Sequence, residues 1–146
     1  MIFVCGELGS GKTTYASQLA RTKGYALVEV SDIIKRALGQ IERSKLQGHP
    51  ELDTIVIHEL IEAGHDTVVS GARQVSILKG FPLAELVWIE VPEEERFRRL
   101  SKRVDNKDPD KTRDAFNIAQ LRDQELGLGE VKSYIMSSNK GKIVHG

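Results

Sequence analysis

Apolar and polar positions along this chain alternate between two periods. Ile2 to Cys5, Tyr25 to Val30, Asp66 to Ser70 and Glu85 to Val91 are short apolar runs bounded by turn or charged residues, and they read as buried strands. Between them the spacing becomes helical. Ala16, Leu19 and Ala20 mark one side of a helix opening at Lys12, and Ile33 to Leu38 forms a second. Pro50 starts a third, with Leu52, Ile55, Val56, Leu60 and Ala63 as its stripe and Gly64 as its stop. Pro92 and three glutamates open a helix carrying Phe97, Leu100 and Val104, and a further helix runs from Thr112 to Leu126, where Gly127 ends it. Ser133 to Met136 reads as a fifth strand. Strands that alternate with helices predict an α/β protein with a parallel sheet.

The first strand runs directly into Gly6-Glu-Leu-Gly-Ser-Gly-Lys-Thr13, which fits the phosphate-loop pattern G-x-x-x-x-G-K-[ST] in the required strand, loop and helix order. Glycines at 6, 9 and 11 let the backbone turn successive N–H groups inward around a phosphate. The helix that follows adds the positive end of its dipole. Lys12 is expected to reach the β and γ phosphates of ATP, and the Thr13 hydroxyl to bind Mg²⁺. Gly6, Leu8, Gly9, Ser10, Gly11, Lys12, Thr13 and Thr14 together form the expected cofactor-binding stretch.

Several residues outside the loop carry candidate chemistry. Ser31 and Asp32 stand at the end of the second strand, where a helix N-cap belongs and where an α/β nucleotide enzyme also places a catalytic group. The third strand ends Val68-Val69-Ser70, without the acid that many phosphate-loop enzymes use there for Mg²⁺. Asp32 is therefore the expected carboxylate for the metal or for activating the acceptor. Arg36 lies one helical turn beyond it and Arg43 follows with Lys45, a basic cluster that can be a solvated face or can hold an anionic acceptor. Arg73 sits in the loop after the third strand, where ligand contacts concentrate. Arg96, Arg99 and Arg103 share one helical stripe that is either solvated surface or a source of charge stabilisation during phosphoryl transfer. The polar stretch Asp105 to Lys111, between two arginine-bearing helices, has the composition of a closing lid spanning about residues 103–122 and including Arg122. Asn139 lies in a turn expected beside the adenine, and Trp88 is expected in the core.

Composition narrows the classes. Lys plus Arg and Asp plus Glu are 21 each, so contact with a polyanion requires a local patch. The one cysteine, Cys5, excludes an internal disulfide and suits a reducing cytosol. No apolar run is long enough to span a bilayer and no signal peptide precedes the loop, which predicts a cytoplasmic protein without membrane contact. The four histidines show no metal spacing.

The order of these features resembles the nucleoside monophosphate kinase group of phosphate-loop kinases, which includes dephospho-coenzyme A kinase and related archaeal proteins. Beyond the loop, the resemblance rests on Ser31-Asp32-Ile33-Ile34-Lys35, Ser70-Gly71-Ala72-Arg73, Arg96 to Leu100 with Arg103, and Arg122 to Gly127. It implies a single domain over residues 1–146, a three-layer phosphate-loop NTPase fold with a parallel five-stranded sheet of order 2-3-1-4-5, and an acceptor-binding region over about residues 31–64. It also implies that Asp32, Arg36, Arg43 and Arg73 face the acceptor and that Arg99, Arg103 and Arg122 belong to the lid side. Lys12, Asp32, Arg103 and Arg122 are then the catalytic set, in a kinase moving the γ-phosphate of ATP to a nucleotide or nucleotide-like acceptor. The segment between the second and third strands is short for that group, which implies a homodimer completing the pocket or a bulky acceptor. Polynucleotide kinases, and phage kinases of 5-hydroxymethyluracil in DNA, fit the latter, and Lys35, Arg36, Arg43 and Lys45 would supply the phosphate footprint. A nucleotide-binding switch without transfer is the remaining alternative.

Overall fold

A computed structural model describes residues 1–38, 50–102 and 112–146. Five strands, β1 (Ile2–Gly6), β2 (Ala26–Glu29), β3 (Thr67–Ser70), β4 (Glu85–Glu90) and β5 (Gly141–His145), form one sheet in the order β2-β3-β1-β4-β5. Every neighbouring pair is parallel, so all five strands end on the same side. The helices are α1 (Lys12–Lys23), α2 (Val30–Leu38), α3 (Pro50–Ala63), α4 (Val75–Lys79), α5 (Glu93–Ser101), α6 (Arg113–Glu125) and α7 (Leu128–Ser137). The expected architecture and strand order are those observed.

Alternation along β1 shows why both sheet faces are covered. Ile2 and Val4 point to one side and pack with Ala16 and Ala20 of α1. Phe3 and Cys5 point to the other, among Val56 and Leu60 of α3, Ile77 and Leu78 of α4, and Val131 and Ile135 of α7. Each large side chain buried there contributes about 1.5–3 kcal/mol of hydrophobic stabilisation. Trp88 belongs to this core, and its indole N–H donates to Glu90 Oε2 at 2.6 Å.

Two elements differ from the sequence expectation. Residues 133–136 are helical, inside α7, and the fifth strand is Gly141–His145. Leu128, Val131 and Ile135 recur at helical spacing and are the buried residues of α7, which outweighs the strand-like look of the four residues alone. Gly141 then permits close passage, because a Cβ there would collide with the Ile135 carbonyl oxygen. At the other end of the sheet order, α2 begins at Val30, directly off β2. Ser31 and Asp32 thus lie in the first helical turn and are not caps, and Asp32 favours the helix there through its charge.

Candidate phosphoryl-transfer site

The loop after β1 is built around two glycines with left-handed backbone, Gly9 at φ 81° and Gly11 at φ 82°. Gly11 is the N-cap of α1, so Lys12 is the first helical residue and the amino end of α1 faces the loop. Gly9 has a second constraint, since a Cβ there would stand 2.7 Å from the carbonyl oxygen of Arg96 on α5. Gly9→Ala is accordingly expected to lower stability by about 1–3 kcal/mol through backbone strain, read as a drop in thermal midpoint.

Arg96 is the brace behind this loop. Its Nε donates to Val91 O at 3.0 Å and its Nη1 to Leu8 O at 3.0 Å, while Nη2 pairs with Glu7 Oε2 at 3.1 Å. With 3% of its surface exposed, it holds loop backbone and has turned away from the solvated or phosphate-facing stripe expected for it. Arg99, one residue short of the next turn, takes the outer position. Its Nη1 lies 3.4 Å from Ser10 O, and it borders a cleft of ≈ 380 Å³ with Gly9, Ser10, Gly11, Thr14, Gln18 and Val144. That volume falls within the roughly 300–1,000 Å³ of small-molecule sites, and the cleft is continuous with the loop. It suits the donor nucleotide.

Lys12 is half-buried at the mouth of the loop. Burial pushes its pKa below the ordinary lysine value and the Arg73 guanidinium pushes it further, while Asp123, Cys5 and Glu29 act in the opposite direction. The acids near Lys12 are thus Asp123 and Glu29, neither of which stood out in the sequence. Asp123, on α6, is 8% exposed and pairs with Arg73 Nε at 3.4 Å. It falls seven residues after buried Phe116, on the same helical face, whereas Arg122 is exposed. The side chain that α6 turns to the site is therefore Asp123 rather than Arg122.

Glu29 ends β2. Burial raises its pKa, the Asp32 carboxylate raises it further, and the Ser70 and Thr13 hydroxyls and the Lys12 ammonium hold it back. Glu29 Oε1 and Ser70 Oγ are both buried, with the Ser70 hydroxyl beside the Glu29 carboxyl. Asp32 is exposed and borders a shallow groove along the edge of β2 with Leu27, Glu29, Lys35 and Arg36. Arg36 pairs there with Glu59 of α3 at 3.1 Å. Carboxylate and hydroxyl oxygens suit a hard cation such as Mg²⁺, so the residues present fit the metal that a phosphate-loop site implies.

On the other side of Arg73 a narrow slot runs between α2, α3 and the start of α4. Val30, Ile34, Leu52, Val56 and Ile77 form its apolar walls, with Ser31, Asp53 and Gln74 as polar points. Asp53 accepts from Ser76 Oγ at 2.5 Å and from the reoriented Gln74 amide. Asn139 is displaced from its expected place. The turn before β5 lies at the strands' amino ends, where Leu86 N donates to Lys140 O, and the phosphate loop lies at their carboxyl ends. Gly146 and Val144, at the far end of β5, border the donor cleft instead. Arg43 and Arg103, and with Arg103 the stretch 103–111 of the expected lid, lie outside the described residues.

A glycine loop at the switch point of a 2-3-1-4-5 parallel sheet, with a lysine at the first helical position, defines a phosphate-loop protein of the kinase fold. A family model described as "AAA domain" matches residues 2–121, and the chain belongs to that family. Among curated proteins it is similar to a shikimate kinase from Synechococcus sp. (strain RCC307), 28% identical over 107 residues that cover 68% of this chain and 55% of the relative. It is also similar to a cytidylate kinase from Halobacterium salinarum, 30% identical over 113 residues that cover 72% of this chain and 59% of that protein. The chain thus spans little more than half the length of these relatives. Its fold matches the crystal structure of a shikimate kinase from Bacteroides thetaiotaomicron with a TM-score of 0.62 at 20% identity, over 88% of this chain and 81% of that one. Among the described residues, no helix is long and apolar enough to cross a membrane.

Proposed function

We propose that this protein is an ATP-dependent, Mg²⁺-requiring kinase that transfers the γ-phosphoryl group to a nucleotide or nucleotide-like acceptor. The observation that carries the reading is the position of Arg73. It lies near Lys12 on one side and lines the apolar slot on the other, so one cation joins the donor loop to an acceptor site. The loop amides and Lys12 hold the donor phosphates, and Arg99 covers the outer rim of the cleft. Thr13 and a nearby carboxylate would hold Mg²⁺, which neutralises charge on the β and γ phosphates when bound. Arg73 orients the anionic end of the acceptor, while Val30, Ile34, Leu52 and Val56 receive its ring. The slot has only ≈ 40 Å³ of free space, so α2 and α3 must part to admit the acceptor.

The test offers labelled ATP with nucleoside monophosphates, hydroxy acids and DNA. A labelled nucleoside diphosphate is expected. Arg73→Ala should raise the acceptor KM about 10- to 100-fold, the worth of one charged hydrogen bond, with ATP affinity retained. Label on a hydroxy acid alone would remove the nucleotide reading. A second reading, transfer to a hydroxyl of DNA, draws on the open groove where Asp32 stands beside Lys35 and Arg36. There Asp32 would take the hydroxyl proton, and the label would appear on the polymer.

A further inference from the structure

The third strand of this protein lacks the acid that usually stands at its carboxyl end, yet the sheet supplies one from the neighbouring strand. In the β2–β3 register Glu29 is paired with Ser70, the last residue of β3. Ser70 is fully buried and its hydroxyl lies beside the Glu29 carboxyl, whose Oε1 is buried with it. Thr13 is the third oxygen at this point, facing the same carboxyl. The Glu29 carboxylate has more acceptor positions than the Ser70 and Thr13 hydroxyl protons can fill, so three oxygens meet at the carboxyl end of the sheet, beside the phosphate loop, where a cation would complete them. A donor set of one carboxylate and two hydroxyls, with no nitrogen or sulfur, selects a hard divalent cation that keeps part of its water shell.

We infer that Glu29, rather than Asp32, is the carboxylate of the nucleotide-bound metal site, reaching across from β2 to the position that an acid on β3 would occupy, with Ser70 and Thr13 as hydroxyl partners. This rests on the kinase reading of the loop. It also separates two duties that the sequence assigned to one residue. Asp32, exposed on the first turn of α2, is left to face the acceptor side.

The experiment measures ADP binding by calorimetry with Mg²⁺ and with chelator, together with Mn²⁺ binding followed by its paramagnetic resonance signal. Glu29→Gln preserves shape and is expected to weaken Mn²⁺ binding in the nucleotide complex about 10- to 100-fold, while ADP binding in chelator stays as in the wild type. Moving the carboxylate onto β3, in the double variant Glu29→Gln/Ser70→Asp, is expected to restore most of the metal binding. A general loss of structure could not produce that rescue. Asp32→Asn is expected to keep the metal-dependent gain, and it reports independently if Glu29→Gln proves poorly folded. Wild-type metal binding in Glu29→Gln, or its loss in Asp32→Asn, would overturn the assignment while leaving the kinase reading in place. Absence of ADP binding in the wild type would remove both.

Discussion

Replacing Lys12 with alanine is expected to lower phosphoryl transfer by about 10²–10³-fold, the cost of removing one preorganised charge from a transition state. Lys12 stands at the amino end of α1 and is near Arg73, Asp123 and Glu29. Wild-type affinity should also depend on pH in a way the variant does not share. Burial and Arg73 hold the Lys12 pKa below its ordinary 10.5, and a bound phosphate raises it again. Nucleotide binding therefore takes up a proton between those two values, and affinity falls as pH rises through that window. In the unliganded protein the sign reverses. The unfolded chain binds the proton more readily than the native one, so native stability increases with pH between the lowered value and 10.5. Single-turnover transfer and calorimetry across pH check both statements, and a Lys12→Ala variant with wild-type transfer would refute the assignment of the loop.

Arg96→Ala is expected to cost about 3–5 kcal/mol of folding stability, the range for breaking a buried ion pair from one side. The substitution leaves the carbonyls of Val91 and Leu8 without their side-chain donor and the Glu7 carboxylate without its cation. It also removes the guanidinium lying 5.7 Å from the Phe116 ring. Arg96→Lys should recover little, since one ammonium cannot reproduce a planar fork bonded in three directions. Urea unfolding measures the effect. A loss below about 1 kcal/mol, the scale of an ordinary surface pair, would show that the brace is unimportant.

The strand order and the donor loop were legible because their signals are local. Gly9, Gly11 and Lys12 have mechanical reasons to stand at their spacing, and the periods of the flanking segments fix strand and helix. What was hidden depends on three-dimensional register. Glu29 is an unremarkable acid at the end of an edge strand until β2 and β3 are aligned and it meets Ser70. Asp123 is preceded by an arginine that looks the better candidate, and only the burial of Phe116 shows which face of α6 is inward. Arg96 shares a stripe with Arg99, yet one becomes structural and the other borders the donor cleft, because the Leu8 and Val91 carbonyls need a donor at that depth. The misplaced fifth strand has a similar origin, since four residues are too few to distinguish a buried helical turn from a strand.

The three-way anchorage of Arg96 has a kinetic meaning as well. Because the guanidinium fastens the backbone of the loop to α5 before any nucleotide is present, the conformational entropy of ordering that loop is lost when the chain folds and not when the ligand arrives. The phosphate loop is thus a standing mould, whereas the slot beside Arg73, with ≈ 40 Å³ of free space, has to open before it can admit a ligand.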